Sequence, residues 1–291
     1  MKLRLALEWF LNPDHLPFIA GIDQGWFDEA GLEVDLIEPE DHYDGLASAA
    51  AGEVEFACNE PLHMIDQYRR GLRALGCFFE TDGGILLRHS AVDKVLAGEH
   101  IRLASPVAGG VTDRVAVEIL VRWFEQKHDP INPRQVRIEA AGFEHLKNLH
   151  AGYDGAWLCF ANFEGVEADH FRIDADFITT AEVGLENFSA LELFTGRNLL
   201  RDAPDAVARF TEIASRGAAA CRDHPLFARE IWYRHTGEDP NELTDAIVDD
   251  TCSRLLAPLA RDPEKWRPMW RQFRDLGLAE VGEAAFDELY L

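Results

Sequence analysis

The sequence predicts a two-lobed α/β protein, each lobe a mostly parallel sheet flanked by helices, because strand and helix patterns alternate twice along the chain. The first alternation runs through residues 2–58 and the second from Ile101 to residue 160. Serial strand–helix–strand units with right-handed crossovers build parallel sheets. Two stretches also echo each other. Leu46–Cys58 carries Ala51-Gly52-Glu53-Val54, and Leu146–Cys159 carries Ala151-Gly152-Tyr153-Asp154. Each reads as a helix, an Ala-Gly stop and then a strand.

Taken in order, residues 2–9 alternate as a strand, and 14–30 read as a helix stopped at Gly31. Val34–Ile37 forms a second strand, a helix over 44–51 ends at Gly52, and Val54–Cys58 is a third strand. The loop at Asp41-His42-Tyr43-Asp44 reads as the acidic, capped start of that middle helix rather than a metal site. A helix over 60–70 follows, then strands at 72–80 and 84–88 that leave the lobe. The second series has a strand from Ile101, a helix at 112–126, a strand at 135–139, a helix at 143–151 and a strand at 155–160. Strand-like residues return at 177–194, and from Pro204 onward aromatic and Leu residues recur at helical spacing. Lobe one is therefore expected to comprise 1–85 and 185–291, including a helical tail, and lobe two 86–184. No Gly-Ser or Pro-rich linker separates them, which suits a hinge of strands crossing near 82–90 and 176–188.

Composition narrows the function. The 291 residues are 47% hydrophobic and carry 52 acids against 28 Lys and Arg, a formal net charge of -24. Such a surface repels phosphate backbones and anionic headgroups, so nucleic acid is not expected as a partner. No run approaches the roughly 20 apolar residues that cross a bilayer, so membrane insertion is not expected either. Met1-Lys2-Leu3-Arg4 leads straight into a strand pattern, with Glu8 arriving before any signal-peptide core. As it stands the chain reads as cytoplasmic; a periplasmic location would require a leader no longer attached. The five cysteines (Cys58, Cys77, Cys159, Cys221, Cys252) are odd in number and lack CxxC spacing, so buried thiols are expected and no metal site. Walker, Rossmann, Gly-x-Ser-x-Gly and zinc spacings are absent.

Parallel sheets open onto ligands at the carboxyl ends of their strands, and polar or aromatic residues collect there. Trp9 closes the first strand, where an indole can stack on a flat ring; alternation puts Glu8 and Phe10 on the other face. Asn12 and His15 begin the first helix, either as capping residues or with His15 aimed at a ligand. Glu60 and His63 begin the helix after the third strand, either favouring its dipole or facing the crevice. Gly109, Gly110 and Thr112 open a helix after the strand at 101–105, either as ordinary punctuation or as a cradle for phosphate or carboxylate. Trp157, Asn162 and Glu164 follow the last strand of lobe two, and Glu186 and Asn187 precede the return to lobe one. These can hydrogen-bond a ligand or serve as strand-end polar residues.

The stretch from Glu8-Trp9-Phe10-Leu11-Asn12-Pro13-Asp14-His15 to Leu16-Pro17-Phe18, followed by Gly25-Trp26-Phe27, is distinctive. It resembles the opening of the thiamin-pyrimidine synthase and SsuA-like family. That family joins fungal pyrimidine synthases to pyrimidine-, sulfonate- and nitrate-type binding proteins of ABC transporters. The similarity continues through Glu38-Pro39 and Pro61-Leu62-His63, then more thinly through Ala108-Gly109-Gly110 and Gly155-Ala156, covering roughly residues 3–215. The resemblance implies a type II periplasmic-binding-protein-like fold with a ligand cleft between lobes. It also implies that the Gly109 turn matches one that holds a cofactor phosphate. The synthases use a pyridoxal-phosphate lysine four residues before a key histidine; here His63 is kept and Asn59 stands where the lysine would be. Their cysteine-rich iron motif falls on Leu185-Glu186-Asn187-Phe188-Ser189, which has no cysteine. An aldimine and an iron centre need those groups.

The expectation is therefore a solute-binding protein closing on a polar nitrogen heterocycle such as a thiamin-pyrimidine precursor, with no cofactor and no catalytic residue. The resemblance implies an ABC permease as its partner. The alternative is a cytoplasmic enzyme of thiamin-pyrimidine biosynthesis or related chemistry in the same cleft. No Lys or Arg lies within 8–18 or 58–64, so the first lobe should disfavour sulfonate, nitrate or phosphate.

Overall fold

Strands and helices alternate from the first residues onward in the computed structural model, which describes residues 1–39, 44–66, 69–279 and 281–290. Strand β1 (Lys2–Ala6) is followed by a single 3-10 turn (Pro13–His15), helices α1 (Leu16–Asp23) and α2 (Trp26–Glu29), and strand β2 (Glu33–Ile37). Helix α3 (Gly45–Ala51), strand β3 (Phe56–Asn59), helix α4 (Pro61–Asp66) and strand β4 (Leu72–Glu80) complete the first series. Gly25 takes a left-handed φ of 69° and breaks the helix expected over 14–30 into α1 and α2. The third strand begins two residues later than Val54. Glu53 and Val54 still donate their amides back to the Ser48 carbonyl at 2.8 and 3.4 Å, finishing the exit from α3. Asp44 caps α3 by accepting the Ala47 amide at 2.9 Å, while residues 41–43, His42 included, lie outside the described residues.

The second series has β5 (Gly83–Arg88), α5 (His89–Leu96), β6 (Ile101–Ser105), α6 (Val111–Lys127) and β7 (Val136–Ala140). It continues with α7 (His145–His150), β8 (Gly155–Phe160), a π-helical turn (Ala161–Gly165), α8 (Val166–Phe171) and β9 (Ala175–Thr179). Helix α5, with Ala91, Val92 and Val95 buried, occupies residues that had no sequence assignment. Last come β10 (Ala190–Gly196), α9 (Arg197–Asp202), α10 (Pro204–Asp223), α11 (Pro225–Thr236), α12 (Glu242–Arg254), α13 (Pro263–Asp275) and α14 (Glu283–Leu289).

The chain divides into two compact units: residues 1–80, 190–267 and 280–291 form unit 1, and 81–189 with 268–279 form unit 2. Each holds a five-stranded mixed sheet, in the orders β2-β1-β3-β10-β4 and β7-β6-β8-β5-β9. In unit 1, β1 pairs parallel with β2 and β3, while β10 runs antiparallel between β3 and β4. In unit 2, β6 pairs parallel with β7 and β8, while β5 runs antiparallel between β8 and β9. Both sheets are thus mostly parallel, with one reversed strand in the same place.

Helices α10 to α12 belong to unit 1 for a packing reason, whereas most of α13 falls in unit 2 and departs from the expectation of a tail wholly in lobe one. Phe210 of α10 stacks on Phe56 of β3 at 4.0 Å between ring centroids and on Phe27 of α2 at 5.2 Å. Phe18 of α1 meets Phe78 of β4 edge-on at 5.0 Å. A Cβ on Gly217 would sit 2.0 Å from the Pro17 carbonyl oxygen, so only glycine lets α10 lie this close to α1. Among the described residues, no helix is long and apolar enough to cross a membrane.

Candidate functional site

The carboxyl ends of β1 and β3 in unit 1 gather a set of polar groups. Strand β1 stops at Ala6, and residues 8–10 bend away, so strand alternation does not govern Glu8, Trp9 and Phe10 as the spacing suggested. The ladder ends with the Leu7 amide on Ile37, and the Leu11 amide then turns to the Glu38 carboxylate at 2.9 Å. The bend drives the Glu8 side chain inward. Its Oε1 lies 3.1 Å from His15 Nε2, and its Oε2 accepts the Cys58 thiol at 2.9 Å. Trp9 stays partly exposed, its ring stacked near Phe10 at 6.3 Å.

Asn12 caps the turn that carries His15. Its Oδ1 accepts the Asp14 amide at 2.8 Å, and its backbone lies against His15 Nδ1 at 3.2 Å. His15 is wholly buried, as is Cys58 but for 1% of its surface. Burial alone pushes the His15 imidazole down, but the Glu8 carboxylate against Nε2 outweighs it and the net shift is upward. Burial drives the Cys58 thiol well up, and the Glu8 charge drives it further, so the sulfur is a protonated donor.

Glu60 and His63 occupy the turn from β3 into α4. Asn59 Oδ1 accepts the Glu60 amide at 2.8 Å, aiming the side chain. Glu60 is only 5% exposed; its Oε2 lies 3.3 Å from His63 Nε2, and its Oε1 meets no hydrogen-bond partner among the described residues. His63 keeps 31% of its side chain exposed. A buried carboxylate oxygen with unused lone pairs is a strong acceptor waiting for a donor.

One strand over, β10 sets Glu192 opposite Asn59. Burial pushes its carboxyl up to about 8 even though Tyr290 donates its hydroxyl to Oε2 at 3.1 Å. Sequence reasoning passed over Glu192 because Leu191-Glu192-Leu193 reads as ordinary alternation. In fact β10 is buried along its whole length. The Cys58 contact was missed for another reason: the spacing of Glu8, His15 and Cys58 follows no known ligand pattern, and only β1–β3 pairing brings them together.

In unit 2 several of the candidate residues bond to the chain itself, although the Trp157 indole N–H meets no hydrogen-bond partner among the described residues. Gly109, at φ 93°, donates its amide to Asp113 Oδ2 at 2.6 Å, so the chain's own carboxylate sits where an anion would approach the start of α6. Gly110 caps that helix and is exposed, while Thr112 is buried. Trp157 is wholly buried and meets Phe188 edge-on at 5.8 Å. Asn162 is also buried, and Glu164 accepts the Phe160 amide at 2.8 Å. Glu186 is exposed, its amide donated to Gln272 at 2.7 Å, and Asn187 donates to the Thr81 carbonyl at 2.8 Å. Near α7, burial pushes His145 down to about 4. An apolar surface depression of about 450 Å³ between Leu75, Val207 and Leu259 involves none of these groups.

The resemblance would put a synthase's cofactor groups at Asn59 and at 185–189, and the residues present there do not supply them. Asn59 offers an amide whose oxygen already serves Glu60, not an amine for pyridoxal phosphate. The segment 185–189 offers no thiol for iron.

Two mixed α/β units with this strand order define the class: a two-lobed binding-protein fold. The periplasmic aliphatic sulphonate binding protein SsuA of Escherichia coli superposes with a TM-score of 0.70 at 9% identity, over 99% of this chain and 97% of that one. The NMT1/THI5-like family matches residues 12–77 and 116–228, and the chain belongs to that family. A Haemophilus influenzae protein assigned provisionally to thiamine biosynthesis is 35% identical over 91% of this chain and 82% of its own length. A Legionella pneumophila 4-amino-5-hydroxymethyl-2-methylpyrimidine phosphate synthase is 22% identical, over 91% of this chain and 84% of that one. A formylaminopyrimidine-binding protein of Halalkalibacterium halodurans is 19% identical, over 99% and 90%.

Proposed function

We propose that this protein binds a small, flat nitrogen heterocycle of the aminopyrimidine type at the carboxyl ends of β1 and β3. The observation that carries the reading is the Glu60 carboxylate, buried and with Oε1 unpartnered among the described residues. An aminopyrimidine edge supplies N–H donors in one plane, which a carboxylate accepts in charge-assisted bonds. Partly exposed Trp9 supplies a ring to cover the heterocycle's face, and His63 a second polar contact. Relatives named for aminopyrimidine chemistry, one a synthase and one a binding protein, support the same ligand class. The proposal includes a permease partner and a place in thiamin-pyrimidine supply.

A second reading, an enzyme of that pathway, is favoured by the retained His63 beside a buried carboxylate. Asn59 and the thiol-free segment at 185–189 weigh against it.

A thermal-shift panel tests the ligand. At 100 times its dissociation constant a ligand adds about 2.7 kcal/mol, roughly 5 °C for a chain of this size. Aminopyrimidines should give that shift, and alkyl sulfonates or nitrate should not; the reverse ranking sinks the assignment. Borohydride reduction after mixing with pyridoxal phosphate separates the second reading, since a trapped lysine adduct with stoichiometric iron uptake would revive it.

A further inference from the structure

We propose that Glu8, His15 and Cys58 form a binding site for one divalent metal ion of the zinc class. The three donor atoms come from three different segments, the bend after β1, the 3-10 turn and β3, and all lie within 4.8 Å of one another. His15 Nε2 and Glu8 Oε1 are 3.1 Å apart, and Cys58 Sγ and Glu8 Oε2 are 2.9 Å apart. Metal bonds of about 2.0 Å to nitrogen and oxygen and 2.3 Å to sulfur in a tetrahedron put ligand atoms roughly 3.3–3.6 Å apart. The two gaps to Glu8 therefore need to open by only a few tenths of an ångström to admit the ion, and His15 and Cys58 already lie within 4.8 Å of each other.

Charge and donor type agree with this. A thiolate, a carboxylate and a neutral imidazole balance a divalent ion, so a buried site carries no net charge. Sulfur and imidazole select zinc-like ions over magnesium or calcium, which take oxygen ligands. On binding, the metal–sulfur bond replaces the S–H bond and the thiol proton leaves to solvent. The second sphere permits the exchange. His15 Nδ1 lies 3.2 Å from both the amide nitrogen and the carbonyl oxygen of Asn12. The ring can accept from the amide while Nε2–H donates to Glu8, or donate to the carbonyl while Nε2 offers its lone pair to a metal. Three protein ligands leave a fourth position for water or another small ligand.

Titrating the intact chain with cobalt(II) under reducing, anaerobic conditions tests the site, independently of any heterocycle. One equivalent should raise a sulfur-to-cobalt charge-transfer band and the intense visible bands of tetrahedral cobalt, and zinc should displace both. Cys58→Ser should abolish the charge-transfer band, and His15→Gln should weaken binding at least tenfold, with circular dichroism confirming that each variant is folded. If a variant fails to fold, calorimetry of zinc binding to the unaltered chain in two buffers of different ionisation enthalpy gives the same answer, since one thiol proton should be released per zinc bound. Absence of the cobalt bands in the unaltered chain, survival of the charge-transfer band in folded Cys58→Ser, or zinc binding without proton release would each overturn the proposal.

Discussion

The two sheets share one strand order yet differ in what their strand ends hold. In unit 2 the polar candidates bond to their own backbone: Asp113 takes the Gly109 amide, Glu164 the Phe160 amide, and Asn187 the Thr81 carbonyl. In unit 1 the equivalent region keeps acceptor capacity in reserve, with Glu60 Oε1 unpartnered among the described residues and Glu192 buried with a raised carboxyl. Topology repeated twice therefore need not mean chemistry repeated twice. Buried polar groups cost stability unless paired, and unit 2 also leaves some without a hydrogen-bond partner among the described residues, Trp157 Nε1 and Asp113 Oδ1 included. Glu60 therefore stands out by its place at the end of β3 beside His63 rather than by being unpaired.

The largest expected effect lies in the quieter unit. Trp157→Ala should cost about 3–5 kcal/mol in urea unfolding, as a wholly buried indole leaves a cavity beside Phe188. A stable variant with lost ligand affinity would break the contrast and make Trp157 a ligand contact.

Next comes opposite pH dependence. The Glu192 carboxyl, held up to about 8 by burial against 4.5 when unfolded, binds its proton more tightly in the folded state. Its contribution is full below pH 4.5 and disappears as pH rises through 8. His145, pushed down to about 4 by burial from 6.5, binds its proton more weakly when folded, so its contribution is full above 6.5 and is lost as pH falls through 4. Amide hydrogen exchange should show unit 1 loosening toward alkaline pH and unit 2 toward acid. Glu192→Gln should flatten the first trend, and identical trends in both units would remove the distinction.

Glu60→Gln should weaken the heterocycle by about 1.5–3 kcal/mol, roughly tenfold or more, while leaving the melting temperature of the ligand-free protein unchanged or higher. Calorimetry gives the affinity, and a large loss of stability instead would make Glu60 a structural residue. The smallest effect is that of Asp113→Asn, which should destabilise by about 0.5–1.5 kcal/mol by weakening the bond from Gly109. Phosphate binding that appears only in this variant would sharpen the view that Asp113 fills the anion position.

The architecture was legible because its signals are local. Alternating residues mark β1 and β6, and Ala-Gly stops close α3 and α7 in the sequence itself. The site was only half legible. Trp9, His15, Glu60 and His63 stand at strand ends that periodicity locates, so they could be named. That Glu8 turns inward could not be read, because a strand's alternation gives no notice of where the strand ends. Cys58 and Glu192 sit inside apolar strands, and their neighbours are set by which strands pair. In unit 2 the sequence pointed to residues such as Asn187 whose groups the fold uses for its own backbone. Nothing local distinguishes a strand-end amide that binds a ligand from one that ties a crossing.

The reversed strand of unit 1 also bears on how the protein is made. Strand β10 sits between β3 and β4, yet it follows the whole of residues 81–189 in the chain. During synthesis, every strand of the unit 2 sheet has been translated before β10 of the unit 1 sheet exists. A chain ending at 189 contains every pairing partner of β1 and β2, but it lacks β10, which joins β3 to β4. The edges of β3 and β4 within residues 1–80 must therefore wait unpaired for a segment translated more than a hundred residues later.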